Sequence, residues 1–464
     1  MFRRAGLLAI ALVSVALGII AVRLATVGAI GPFEVGGRAP AEGPVLPGAR
    51  GKVAFIRGGD LWTYDLERGE ARRLTTTGGA AMPRWSGSGS WLSFAREGQL
   101  WVVRADGAGL APVPGGDQPE SARWAHRGAQ LAYSSRDGSL SIFAPGSGAP
   151  GRRVLLSAGS ATGPRLAWSP DDTQLLYERH ESVTDQTGNE SIWTVPATGR
   201  SPQPVFVASG DFSLVACCWS GTGSYLFFWQ GPRSASIAAD GLPLMVARFP
   251  SSQPAVAVPA VLLHASLIAT APGSDAIAVV AGAGRDLTAG KHLIAVLPLA
   301  APGGATIVRT IALQDDPGRA PAWPAWAPQA AAIAYSDGPS LTAAGGDLAA
   351  SLASRRIWLA QPDGSQRHPL LPDATVPSGV SDERPLWARD GRTLVFARRL
   401  QPEAAARASG PGAASAGQPA PEVELWVALA DGSSARRVAG GLLDPGLGDH
   451  GYVDWADVFD YYQG

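Results

Sequence analysis

The 464-residue chain has only two cysteines, and they are neighbours, Cys217 and Cys218. Adjacent cysteines cannot staple distant segments, which excludes a disulfide-held fold and leaves stability to packing. Placed where an apolar strand enters the core, the pair reads as small buried residues rather than as a redox or metal site. Lysine is equally scarce: Lys52 and Lys291 are the only copies among 38 basic residues. The arginines are spread along the chain, the formal net charge is −1 and only 17% of residues are charged, so no electrostatic footprint for nucleic acid exists. An apolar content of 46% argues against disorder.

Catalytic signatures are missing as well. There is no G-x-S-x-G elbow, no H-E-x-x-H and no P-loop. The six histidines are scattered, with no pair at metal-ligand spacing. Asp171, Asp172 and the many Asp-Gly pairs suit hairpin turns, and no D-x-[DN]-x-[DN]-G loop accompanies them. No cofactor and no metal are expected.

Repetition is what the chain has in abundance. PRWSGSGSWLSFA (83–95) returns as ARWAHRGAQLAYS (122–134), LAWSPDDTQLLYE (166–178), CCWSGTGSYLFFW (217–229), PAWAPQAAAIAYS (324–336) and PLWARDGRTLVFA (385–397), with a worn copy, IATAPGSDAIAVV (268–280), that has Thr270 in place of Trp. A Trp closes a short strand, Ser, Pro, Gly and Asp make a turn, and alternating apolar residues such as Leu92 and Phe94 give a half-buried strand. A second module follows, as in GQLWVVRADG (98–107) and VELWVALADG (423–432), where Asp-Gly supplies the positive φ of a tight turn. A last short strand, such as Arg152 to Leu155, completes four antiparallel strands, the content of one propeller blade.

Complete sets begin near 83, 122, 166, 217, 268, 324 and 385. An eighth, beginning at KVAFI (52–56), lacks its leading strand, and GYVDWADVFD (451–460) offers one with Trp455 in the leading Trp position. The expectation is an all-β propeller of eight blades over 51–464, closed by the C-terminal strand with no edge left unpaired. The rival reading makes Asp454 the N-cap of a short helix with Trp455, Phe459 and Tyr462 on one face, leaving seven blades.

The Trp-Ser-Pro-Asp turn of LAWSPDD and the LWVVRADG module resemble the repeats of TolB-type propellers, and also those of the propeller in prolyl-oligopeptidase-like peptidases. The resemblance covers about residues 51–460 and implies the fold. It implies no activity, because propellers host many. The small α/β domain of TolB proteins and the hydrolase domain of the peptidases are not expected within these 464 residues.

At the N-terminus, Arg3 and Arg4 precede an apolar run from Ala5 to Val22 that is long enough, as a helix, to cross a bilayer. Charge before the span places the N-terminus inside and the propeller outside the cytoplasm. Residues 1–30 read as a signal anchor, with cleavage near Ala29 as the alternative, and 31–50 as a Gly- and Pro-rich tether.

Units 4 to 8 lengthen between their second and third strands, on the side where blade connections also emerge. Insertions on one face of a repeat array often mark its binding face. Candidate contacts there are Arg179, His180, Glu181, Asp185, Arg233, Arg285 and Asp286. The regularly spaced Trp residues are read as blade-to-blade core rather than as a ligand platform. The favoured function is a membrane-anchored extracytoplasmic binding module for a protein, peptide or glycan. The alternative is a hydrolase or lyase in the central channel, for which a ring of inward-facing charges would be the mark.

Overall fold

The computed structural model describes residues 38–39, 46–148, 151–160, 163, 165–182, 188–208, 212–232, 240–250, 253–284, 287–400, 422–446 and 452–463. The N-terminal segment expected as an anchor, 5–22, lies outside them. Among the described residues no helix is long and apolar enough to cross a membrane.

Blade 2 shows the plan. Ala80–Trp85, Trp91–Arg96, Gln99–Arg104 and Ala111–Asp117 pair antiparallel in chain order. Blades 3 to 7 repeat it as separate four-stranded sheets beginning at Pro119, Leu166, Phe212, Ile268 and Ala322. Blade 8 comprises Val380–Trp387, Thr393–Leu400, Glu422–Leu429 and Ala435–Leu442. Blade 1 takes its first strand from the far end of the chain: Phe459–Tyr462 pairs with Lys52–Arg57, which continues to Asp60–Asp65 and Glu70–Arg73. A single pair, Arg57 with Leu442, joins blades 8 and 1 into one sheet. Among the described residues the blades therefore number eight, and both ends of the ring meet in one blade.

The closing strand is where the sequence placed it, but its residue is not. Trp455 lies in a 3₁₀ turn, Trp455–Asp457, capped by the Asp454 carboxylate, which accepts from the Ala456 N–H. In the ladder it is Tyr461 that faces Val53, the place that Trp387 takes opposite Leu394 in blade 8. Both proposed readings of this segment thus hold a part: a short capped turn, then the strand.

The Trp residues stitch neighbouring blades. The indole N–H groups of Trp124, Trp168, Trp219, Trp326 and Trp387 donate to the carbonyls of Arg84, Arg123, Ala167, Ala269 and Ala325 at 2.9–3.2 Å. Each acceptor is the residue just before the Trp position of the preceding blade. Thr270 in blade 6 breaks the series, and in blade 1 the Tyr461 hydroxyl donates instead to the Arg50 carbonyl. The turn beyond each Trp adds a second stitch, as where the Asp172 carboxylate of blade 4 accepts from the N–H groups of His126 and Arg127 of blade 3. These bonds and the burial of Trp168 and Trp387 identify the series as core. First strands are innermost, whereas fourth strands carry exposed apolar residues, among them Val154, Val207, Val256 and Ile307. Leu46 and Ala49 pack into the core ahead of blade 1.

Candidate functional site

Among the described residues, the second and third strands of blade 4 form a long hairpin on the insertion-bearing face. Gln174–Ser182 and Gly188–Pro196 stay paired as far as Ser182 with Gly188, so the expected Arg179 to Glu190 loop is mostly ladder. Its polar residues brace it: the Arg179 guanidinium lies 5.2 Å from the Trp193 ring centre, and His180 Nδ1 is 3.4 Å from Glu190 Oε1. Glu190 also accepts from the Leu214 N–H of blade 5. Of the candidate contacts, Arg179 and His180 are brought onto this hairpin, on opposite faces as successive strand residues must be. Glu181 follows in the ladder opposite Asn189. Asp185, Arg233, Arg285 and Asp286 lie outside the described residues.

Two other insertions satisfy themselves. The buried Lys291 ammonium donates to the carbonyls of Ala283, Gly284 and Ala289 at 2.9–3.0 Å, so that loop is wound around its own cation. The insertion of blade 7 folds into a one-turn helix, Leu348–Leu352, capped by Asp347.

The central channel is charged. Arg84, Arg123, Arg165 and Arg384, from blades 2, 3, 4 and 8, all lie within three residues before a Trp position. Asp454, Asp457 and Asp460 of the C-terminal segment face them. Most of this charge holds the chain itself. Arg384 donates to the carbonyls of Trp455 and Phe459 at 2.6 and 2.5 Å, Arg84 donates to the Ala456 carbonyl, and Arg165 to that of Leu263. Ahead of these contacts Tyr452 stacks on His264 of blade 6 with ring centres 3.5 Å apart, and its hydroxyl is 2.6 Å from Ser266 Oγ. The segment that closes the ring therefore runs across one mouth of the channel, touching blades 6, 8 and 2.

Arg123 differs from the other three. Solvent reaches it, yet protein crowds it, as a narrow bore would; desolvation and then Arg84 and Arg165 push its pKa down to about 10. The one hydrogen bond of its guanidinium among the described residues is to the neighbouring Ala122 carbonyl. Desolvation also shifts three groups nearby. Glu178, buried while accepting from the Ala216 N–H at 2.8 Å, is pushed up to about 7. Asp457 is pushed up to about 6 by burial and by Asp454, and His264 is pushed down to about 4 by burial and by Arg165.

A second repeated device runs through the blades. In blades 1, 2, 4 and 8 an aromatic residue of the second strand faces a Trp of the third: Phe55 with Trp62, Phe94 with Trp101, Tyr177 with Trp193, Phe396 with Trp426. Two residues after the aromatic comes an Arg whose guanidinium lies over that Trp, at 5.6, 5.6, 5.2 and 4.1 Å for Arg57, Arg96, Arg179 and Arg398. Diagonal neighbours on one sheet face are within reach of long side chains, which accounts for the spacing. The pattern aromatic-x-Arg before a strand with Trp was present in the sequence, as were the four Arg residues ahead of the Trp positions. Neither stands out from composition, because the arginines are spread along the chain.

No protein-family model and no curated protein matches this chain. Among solved structures it is similar to a TolB-designated protein of Agrobacterium tumefaciens, with 12% identity, a TM-score of 0.34, and 84% of this chain and 89% of that one covered. It is similar to an oligogalacturonate lyase of Vibrio parahaemolyticus, with 12% identity, a TM-score of 0.40, and coverage of 87% and 90%. It is also similar to a puromycin-hydrolyzing peptidase of Mycobacterium tuberculosis, with 15% identity and a TM-score of 0.41; here 76% of this chain covers 58% of the peptidase. Likeness at this level carries no argument about activity; it is the strand pairing that shows the β-propeller.

Proposed function

We propose that this propeller is a binding module that captures a protein, peptide or glycan on its insertion-bearing face. The observation that carries the reading is a contrast. Of the four inward-facing arginines, whose exposed ring would mark a channel enzyme, Arg84 and Arg384 are tied to backbone carbonyls of the closing segment and Arg165 to that of Leu263. The blade 4 hairpin is polar, extended and internally braced. A rigid polar projection on a stable scaffold is suited to recognition. Replacing residues 179–190 by a two-residue turn should leave the fold intact, because hairpin length carries little entropy, with melting lowered by the loss of the Glu190 bond to Leu214, and should abolish capture of the partner obtained by pull-down from envelope extract. Capture that survives the replacement refutes this placement.

A second reading, a hydrolase or lyase site in the bore, is favoured by Arg123, which solvent reaches, and by Glu178, whose pKa lies near neutrality. Arg123→Ala separates the two: it should leave capture intact, and loss of capture in this variant with a silent hairpin replacement would move recognition into the channel. The binding-module proposal also has the propeller outside the cytoplasm, anchored by residues 5–22. Full-length protein should then sediment with membranes and resist extraction by high salt, whereas a soluble form beginning near Ala29 would show cleaved export.

A further inference from the structure

The Arg–Trp clasp of blade 8 opens onto a cavity of about 410 Å³ between blades 7 and 8. That size is at the lower end of the roughly 300–1,000 Å³ range of small-ligand sites. Half-buried Trp426 and the apolar side chains of Leu371 and Val380 line it, together with Arg398, Glu424 and Ser434. The polar groups are built in. Arg398, whose side chain is 4% exposed, gives Nε and Nη2 to Asp382 at 2.6 and 2.8 Å and has no partner for Nη1 among the described residues. Glu424 accepts the Trp426 indole N–H at 2.7 Å on Oε2 and the Arg437 guanidinium at 2.9 Å on Oε1. Ser434 Oγ has no side-chain partner among the described residues.

Each charge in this cavity is already matched by one partner, Arg398 by Asp382 and Glu424 by Arg437. An ionic ligand would be desolvated with no net counter-charge to meet it. What the site offers is an apolar wall with an aromatic ring, a spare guanidinium donor, carboxylate lone pairs and a hydroxyl. We infer that it takes a neutral, hydroxyl-bearing ring, the pyranose unit of an uncharged glycan, whose C–H face lies against the apolar wall while its hydroxyls meet Arg398, Glu424 and Ser434. This inference is independent of the hairpin and of the partner it captures.

The full-length protein would be titrated with methyl glycosides of glucose, galactose, mannose and N-acetylglucosamine, read by saturation-transfer NMR and tryptophan fluorescence, with inorganic phosphate and choline as charged controls. At least one neutral glycoside should bind saturably and neither control should compete. Trp426→Ala should weaken binding about tenfold or more, since the ring supplies the stacking surface. Should that variant fail to fold, Ser434→Leu decides the matter: it fills the rim from a half-buried turn position, and should abolish binding with melting unchanged. Absence of saturable binding by every glycoside overturns the inference, as does binding indifferent to Ser434→Leu, or tighter binding of phosphate or choline.

Discussion

Glu178 accepts a backbone hydrogen bond inside the blade 4 to blade 5 interface, and burial pushes its pKa up from the ordinary 4.5 to about 7. Between those values the folded chain holds a proton that the unfolded chain has released, so the group's contribution is fully present below pH 4.5 and is lost as pH rises through 7. Glu178→Gln keeps an acceptor for the Ala216 N–H and carries no charge. At pH 8 this variant should be more stable than the parent by on the order of 3 kcal/mol, with the gap closing below pH 5; parallel melting curves across that range check it. His264 works in the opposite direction: its pKa is held down near 4 against an ordinary 6.5, so its contribution is lost as pH falls through that window. At the same scale Trp168 is a test of the core assignment. Trp168→Ala removes a buried indole and its 2.9 Å bond to the Arg123 carbonyl, and should cost about 3–5 kcal/mol in thermal unfolding. The six Trp positions were legible in the sequence because an aromatic recurring at the end of a short strand has one common use in a blade. The pKa shifts were not, since they depend on which side chains from separate blades meet in the bore.

At the scale of the element, strand identity was legible where apolar residues are dense, as in Leu131–Ser135 and Thr393–Leu400, which are buried throughout. It failed where both faces are polar. Arg179, His180, Glu181 and Ser182 show no apolar alternation, and their strand is defined only by the partners Gly188 to Ser191 across the ladder. Phe459–Tyr462 is too short for a period to show, and the larger Trp455 nearby drew the assignment to a capped turn. The clasp between Arg179 and Trp193 and the contact of His180 with Glu190 brace the polar hairpin beyond the blade body. Arg179→Ala should loosen it, by about 0.5–1 kcal/mol for a partly exposed cation–π contact. Faster hydrogen exchange confined to 179–182 and 188–191, with global melting unchanged within a degree or so, is the expected signature; uniform exchange across blade 4 would show that the clasp supports the whole sheet.

At the scale of the molecule, the ring is closed by twelve described residues, 452–463, that join parts of the propeller far apart in the chain. They supply the strand beside Lys52–Phe55, the fully buried Trp455 whose indole donates to Glu383 at 2.7 Å, and the carbonyls that accept from Arg84 and Arg384. Removing residues 451–464 would therefore do three things together. It would bare the edge of Val53 to Phe55, open a void against blade 8, and take acceptors from two guanidiniums: Arg84 loses one and keeps the Pro83 carbonyl, while Arg384, whose pKa is already pushed down to about 10 by desolvation and by Arg84, loses its two carbonyls. An unpaired buried charge is costlier than a lost contact, so the truncation should exceed the about 3–5 kcal/mol of any single buried tryptophan. Tyr461→Phe, which loses only the hydroxyl bond to the Arg50 carbonyl, should cost about 1 kcal/mol. Thermal unfolding of the two variants beside the parent separates closure from local contact. A truncated chain that melts with the parent would refute the eight-bladed ring, whereas a large loss on truncation with a small one for Tyr461→Phe assigns the stability to the joined ends.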